Sequence, residues 1–272
     1  MQTISGINGK MFTTHDLDTS EVHYYLNIDD KPTIHLNDYI GKEITISHNG
    51  KKECLGCHRP VHGKTFSGGY CYPCFSSLPQ TDMCILKPEQ CHYHLGTCRD
   101  PKWGEAHCFQ DHALYLARSS NIKIGITRGT QVPTRWMDQG ANEAMIIGYF
   151  DNRKAVGDAE VIIAKEMSDK TSWQKMLKND VTQDPFNIYL GTAKMLLQAA
   201  DISYRPAEST VYSFKYPVLE FPTKVKSLKF DKMPFMSMTL VGIKGQYLIF
   251  EDGQVINLRS HGGYHLEFTL PE

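Results

Sequence analysis

The chain carries eight cysteines, all between residues 54 and 108. Four of them form two knuckles. "CLGC" holds Cys54 and Cys57, "CYPC" holds Cys71 and Cys74, and the pattern is C-x2-C-x13-C-x2-C. A pair on a tight turn can aim two thiolates at one point, and two such turns complete the tetrahedron that Zn²⁺ favours. The gap is slightly shorter than that of the usual ribbon, but the paired knuckles are specific. Buried free thiols or a disulfide are the plainer alternatives. The other four, Cys84, Cys91, Cys98 and Cys108, are spaced x6, x6 and x9 without a knuckle. A second zinc is expected there, with the four cysteines as ligands, and His92, His94, His107 or His112 is able to replace one thiolate. Closed sites of this kind hold loops in shape and leave no open position for a substrate, so both zincs are expected to be structural.

A second chemistry is suggested further along. Tyr115, Lys123, Arg135 and Glu160 are the types that phosphodiester hydrolysis needs. The reaction requires a base for water, positive charge on the phosphate, and a metal for the developing charge. Tyr115 can be the base if Lys123 lowers its pKa by proximity. Arg135 offers a planar fork for phosphate oxygens. Glu160 offers a hard oxygen ligand to Mg²⁺ or Mn²⁺. Each taken alone also has a bland reading: a packed Tyr, a solvated Lys, a surface acid.

The elements that must position these residues follow from the pattern. "ALYLA" and "IKIGIT" are apolar runs separated by "RSSN", which reads as a β-hairpin carrying Tyr115 and Lys123. Across such a hairpin the two can share a face. "PTRWMDQ" suits a short helix with Pro133 near its start, and "AMIIGYF" a third strand. "NRKAVGDAEVIIAKEM" spaces Ala155, Ala159, Ile162, Ile163 and Met167 as a helix, which carries Glu160. "TSWQKMLKN" and "NIYLGTAKMLLQAA" suggest further helices. Residues 1–53 read as β-rich, with Asn8-Gly9 and Asn49-Gly50 as hairpin signals. Residues 206–272 return to strands in a meander around Asp252-Gly253 and Gly262-Gly263. The expected class is α+β. A β-rich segment 1–53 precedes a cysteine-rich module 54–112 and an α/β domain 113–205 with a small three-stranded sheet. The segment 206–272 follows and is expected to pack with the first.

The hairpin resembles that of the GIY-YIG nuclease superfamily. Ala113-Leu114-Tyr115 stands at the first triplet and Lys123-Ile124-Gly125 at the second, a KIG variant. Arg135 falls where the superfamily carries a helical Arg, and Glu160 where it carries a metal-binding Glu. The resemblance covers about 60 residues. It implies an endonuclease, a phosphodiester hydrolase with Tyr115, Lys123, Arg135 and Glu160 as its catalytic set and Glu160 as the ligand of a divalent metal. The first triplet keeps only its Tyr. Lys123 replaces the second Tyr, as in some branches that include certain restriction enzymes. The chain as a whole also resembles uncharacterised bacterial proteins with the same cysteine block ahead of the hairpin.

Formal net charge is −1, so no global positive field draws in nucleic acid, and binding must come from local patches. One candidate patch lies between Asp111 and Asp138, where Arg118, Lys123, Arg128 and Arg135 occur with no acid. These four are the expected nucleic-acid contacts. A second is "FPTKVKSLKF", with Lys224 and Lys226 on one strand face and Lys229 near. Tyr212, Phe214, Tyr216, Phe221 and Phe230 lie around it. Basic residues among aromatics suit a single strand of nucleic acid, and equally an edge strand guarded by lysines. The acidic first 48 residues can shield the site or meet a protein partner. "MQTISGINGKMF" has no basic start followed by an apolar run, so no export is expected. No run approaches a membrane span. A cytoplasmic location follows, in which thiols stay reduced and bind metal rather than pair. The expected function is nucleic-acid binding, with metal-dependent phosphodiester cleavage implied by the resemblance. The rivals are a non-catalytic nucleic-acid-binding module and a zinc-stabilised protein-interaction scaffold.

Overall fold

A computed structural model describes residues 1–167 and 170–272. The protein is α+β, and its contacts divide it into two compact units. The first comprises Met1–Ser76, Met137–Gly140 and Phe214–Glu272; the second comprises Ser77–Trp136 and Ala141–Ser213. The division runs through the cysteine block, leaving Cys54, Cys57, Cys71 and Cys74 in the first unit and the other four cysteines in the second.

The first unit begins with β1 (Gln2–Ile7), β2 (Phe12–His15), β3 (Val22–Ile28), β4 (Lys31–His35), β5 (Glu43–Lys52) and the short helix α1 (Tyr72–Ser77). Strands β2, β3 and β4 form a three-stranded antiparallel sheet. In β3, Val22, Tyr24 and Leu26 are buried at every second residue, the period of a half-buried strand. Neither Asn-Gly dipeptide makes the expected hairpin. Asn8 is fully buried and donates through Nδ2 to the carbonyls of Leu258 and His261, both at 2.9 Å. Those bonds pin the chain as it leaves β1. Asn49 and Gly50 lie inside β5, with Gly50 at φ +83. The pairing register of β5 shifts beside them, so the dipeptide makes a bulge instead of a reversal.

The second unit holds α2 (Met83–Leu86), α3 (Pro101–Cys108), β6 (His112–Arg118), β7 (Ile122–Arg128), the start of α4 (Thr134–Asp138) through Trp136, and β8 (Glu143–Phe150). After these come α5 (Arg153–Ile163), α6 (Trp173–Leu177), α7 (Phe186–Ala199), β9 (Arg205–Pro206) and β10 (Val211–Ser213). The sheet runs β10-β8-β6-β7, with β9 also on β8, so the expected three strands are joined by two short ones. Leu114, Leu116, Ile122, Ile124, Met145 and Ile147 pack with Val156, Ala159 and Ile163 of α5 and Leu197 of α7 in one core. Because the strand period is 2, Tyr115, Ala117, Lys123 and Gly125 turn to the opposite face.

The chain then returns to the first unit with β11 (Lys226–Ser227), β12 (Phe235–Lys244), β13 (Tyr247–Phe250), β14 (Gln254–Asn257) and β15 (Tyr264–Leu270). A seven-stranded sheet results, in the order β1-β15-β5-β12-β13-β14-β11. The meander holds for β13 and β14, but β15 leaves it to pair between β1 and β5. The basic flank is not one strand: only Lys226 and Ser227 are extended, and Phe214 and Phe230 are core residues. Among the described residues, no helix is long and apolar enough to cross a membrane.

One buried cation in this sheet carries a measurable consequence. Lys244 is fully buried, with Nζ over the rings of Tyr216 and Phe221 at 5.2 and 5.3 Å. Burial lowers its pKa from 10.5 to about 7. Between these values the unfolded chain holds a proton that the folded chain has shed, so stability rises with pH. Lys244→Met keeps the volume and removes the titration. The wild-type protein is expected to gain roughly 2 kcal/mol from pH 7 to pH 9, and the variant to lose that gain. Urea unfolding at the two pH values measures it.

Candidate functional site

The four knuckle cysteines are brought together at the end of β5. The Cys54–Cys57 turn closes through His58 N–H to the Cys54 carbonyl at 2.8 Å and Cys54 N–H to the Arg59 carbonyl at 3.0 Å. Leu55 N–H bonds the Gly69 carbonyl at 2.9 Å, tying the first knuckle to the chain that delivers the second. Gly263 sits at φ +81, and a Cβ there would run into the Glu53 carbonyl oxygen, so glycine is what lets β15 approach the knuckle.

The sulfur atoms of Cys54, Cys57, Cys71 and Cys74 all lie within 4.8 Å of one another. Cys57 and Cys71 Sγ are 3.8 Å apart. A tetrahedron with a Zn–S bond of about 2.3 Å needs sulfurs about 3.8 Å apart, whereas a disulfide needs about 2.05 Å. The set therefore fits a metal such as zinc and not a disulfide. Cys54 Sγ also accepts from Cys71 N–H at 3.2 Å and Gly56 N–H at 3.4 Å. Such donors support a thiolate ligand from behind. Burial pushes the Cys54 thiol up, but the backbone donors outweigh it and bring it down to about 6. Cys74 is pushed up to about 12, first by burial and then by its neighbouring thiols. One thiolate forms readily and the next is resisted, a repulsion that a dication at the centre removes.

In the second unit, Cys84, Cys91, Cys98 and Cys108 line one small cavity of about 20 Å³. They are not drawn to mutual ligand distance as the first four are. The compact donor set here is Asp82, Cys84 and His92, also within 4.8 Å. Asp82 is already engaged: it accepts from Arg99 Nε at 2.7 Å and caps α2 through Cys84 N–H at 3.2 Å. Its carboxylate is thus occupied, while the thiols remain turned to the cavity. Burial raises the Cys84 thiol to about 12, with Asp82 and Cys91 adding to it. His112 is away from this lining.

The residues of the second chemistry converge in part. The Arg135 guanidinium hydrogen-bonds the Tyr115 phenol, and the Glu160 carboxylate is close enough to act on the same group. Tyr115 is 1 % exposed, wedged opposite Gly125, whose added Cβ would sit 2.7 Å from the phenol oxygen. Trp136 meets it edge-on at 5.7 Å. Burial raises the Tyr115 pKa, and Arg135 offsets this only in part. Desolvation outweighs the cation Arg135, so the neutral form of the phenol prevails. Lys123 shares the face of Tyr115 but is only 5 % exposed, leaving little surface for a phosphate.

Arg118 is held by internal contacts. It pairs with Glu143 at 3.0 Å, donates to the Asp184 carbonyl at 2.6 Å and lies over the Phe186 ring at 5.0 Å. Arg128 and Arg135 share an electrostatic neighbourhood with Arg153: burial lowers the Arg153 pKa, Cys108 and Cys84 oppose this, and the two arginines add to it. Arg135 Nε is buried without a hydrogen-bond partner among the described residues. Arg153 donates to the Ile85 carbonyl at 2.5 Å, and Gly157 lets α5 press on Pro88, so the Cys84–Cys91 turn braces α5. His112 joins the cluster. Burial first, then Arg153 and Arg128, lower its pKa to about 4.

The sequence does not single out Arg153, or His112 as a neighbour of these arginines. Arg153 opens α5 just after its cap Asn152, whose side chain accepts from Ala155 N–H. A cation in the first turn opposes the helix dipole, and that anomaly is the signal that could have found it. A model of a family described as "Protein of unknown function (DUF2797)" matches residues 41–266. Comparison with curated proteins and with solved structures gives no match.

Proposed function

The chain belongs to the DUF2797 family, and we propose that it is a zinc-containing protein that binds nucleic acid through the Arg128, Arg135 and Arg153 cluster. The observation that carries this reading is that Arg128 and Arg135 both act on the charge of Arg153, and that Arg135 also acts on the buried Tyr115 phenol. Cys108 and Cys84 favour the Arg153 charge from within the protein, and the guanidinium forks of Arg128 and Arg135 match a phosphate. The N-terminus of α5 adds a favourable field for the same anion. In this reading Tyr115 is a positioning residue for Arg135.

We also propose that zinc occupies the Cys54, Cys57, Cys71 and Cys74 set. A second zinc is proposed at Cys84, Cys91, Cys98 and Cys108, where it would fix the turn that braces α5. When bound, each supplies a structural crosslink.

A second reading is metal-dependent phosphodiester cleavage in a GIY-YIG-like unit. It is supported by the order β6, β7, α4 with Arg135, β8, α5 with Glu160, and by the nearness of Glu160 to Tyr115. Glu160 would hold Mg²⁺ or Mn²⁺, which when bound supplies charge stabilisation at the phosphate. The sealed, neutral Tyr115 favours binding over this chemistry. The two readings separate in one assay with Mg²⁺ or Mn²⁺ and single-stranded, duplex and branched DNA and RNA. Glu160→Ala removes a negative charge, so binding is expected to stay the same or tighten. Cleavage by the wild-type protein that Glu160→Ala abolishes would establish the hydrolase. Binding without cleavage establishes the binder, and no binding at all returns the protein to the interaction-scaffold class.

A further inference from the structure

The first unit contains a basic groove that the arginine cluster does not explain. Two cavities, of about 360 and 450 Å³, share Lys52, Gly63 and Asp231 as a common wall. Their linings add Lys64, Lys229 and His62, with Asp231 the one carboxylate among them. Asp231 is already answered: Lys52 Nζ is 2.6 Å from one oxygen, and the Tyr264 hydroxyl donates to the other at 2.7 Å. Lys64 and Lys229 are exposed and have no such carboxylate partner among the described residues. The groove is therefore net positive, although the chain carries −1.

Aromatic rings continue from one end. Lys64 Nζ lies over the Phe66 ring at 5.6 Å, and Phe66 meets Tyr72 edge-on at 5.5 Å. Tyr72 is 64 % exposed and is joined to Lys64 through the Phe66 ring. Lysines that track a backbone next to an exposed aromatic are what a single strand of nucleic acid uses, because every unpaired base has a face to stack. A duplex keeps its base faces covered and has no use for Tyr72.

We infer that this groove binds the phosphodiester backbone of a single nucleic-acid strand, with Lys64 and Lys229 on phosphates and Tyr72 under a base. The inference rests on the nucleic-acid reading of the protein but uses residues of the other unit, so the two can fail separately. The probes are fluorescein-labelled fifteen-residue oligo(dT) and oligo(rU), which also tell DNA from RNA as the source of the strand. The full-length protein is titrated with each at several salt concentrations. The double variant Lys64→Glu, Lys229→Glu changes exposed side chains, and its circular dichroism and melting temperature verify that it folds. It is expected to weaken binding at least tenfold at low salt. Each lost phosphate contact also lowers the slope of log K against log salt by about 0.7, so about 1.4 should disappear. Tyr72→Ala is expected to cost roughly 5- to 150-fold, the weight of one base–aromatic stack. Undiminished affinity and slope in the folded double variant would overturn the groove. If Arg135→Ala alone then weakened binding, the arginine cluster would stand without it. No binding of either probe by the wild-type protein would also overturn it, and duplex binding would then decide the cluster on its own.

Discussion

Cys57→Ser is expected to remove about one metal equivalent per chain and to lower the melting temperature by roughly 10 °C. The sulfurs of the first set already stand where a tetrahedral ion needs them, with Cys57 and Cys71 3.8 Å apart. The turn from Cys57 to Cys71 has little core of its own: His58, Arg59, Pro60, His62, Gly63 and Lys64 are not buried. A structural zinc contributes apparent binding free energies of about 10–16 kcal/mol in small peptides, and that energy becomes folding energy. Forfeiting even about 4 kcal/mol of it shifts a chain of this size by roughly 10 °C, at about 2–4 °C per kcal/mol. Elemental analysis of protein purified without chelator, with calorimetry of both proteins, provides the test. Zinc-free wild-type protein, or a variant that melts with the wild type, would remove the metal from the account.

Arg135→Ala is expected to weaken nucleic-acid binding by roughly 10- to 150-fold, the weight of a hydrogen bond to a charged group at about 1.5–3 kcal/mol. Arg135→Lys should recover only part, since a lysine presents a point charge where the guanidinium presents a fork. Tyr115→Phe should produce a smaller loss in the same direction, because the phenol oxygen that orients Arg135 is gone. If Tyr115→Phe weakened binding while Arg135→Ala did not, the phenol would be acting on the ligand itself, and its role as a positioning residue would be wrong. Equilibrium titration of the three variants against one labelled duplex ranks them.

What could be read in advance divides by range. The hairpin of β6 and β7, helix α4 and helix α5 lie where the local pattern puts them, because each is set by periodicity over fewer than a dozen residues. The knuckle cysteines were legible for the same reason: C-x2-C fixes a turn by itself. The Asn49-Gly50 dipeptide misleads because β5 is held on both sides, by β15 and β12, and tertiary pairing overrides turn preference. The passage of β15 from the meander to β1 depends on partners more than 250 residues away, which no local pattern carries. The place of Arg135 on a short helix after the hairpin was legible from the local pattern. The burial of Lys123 was not legible, because a lysine in an apolar strand reads the same whether its end is open or covered. The internal contacts of Arg118 were not legible, because Glu143 and Asp184 come to it only in the folded chain.

The measurement that tests the central claim most directly is the salt dependence of wild-type binding to a labelled duplex and to its separated strands. Association constants are taken from about 50 to 200 mM salt. If guanidinium groups answer phosphates, log K falls linearly with log salt, and three contacts on a duplex give a slope near −2.7. Arg135→Ala should then flatten that slope by about 0.9. Absence of binding at the lowest salt, or binding whose strength ignores salt and Arg135 alike, would contradict the assignment of this protein to nucleic acid.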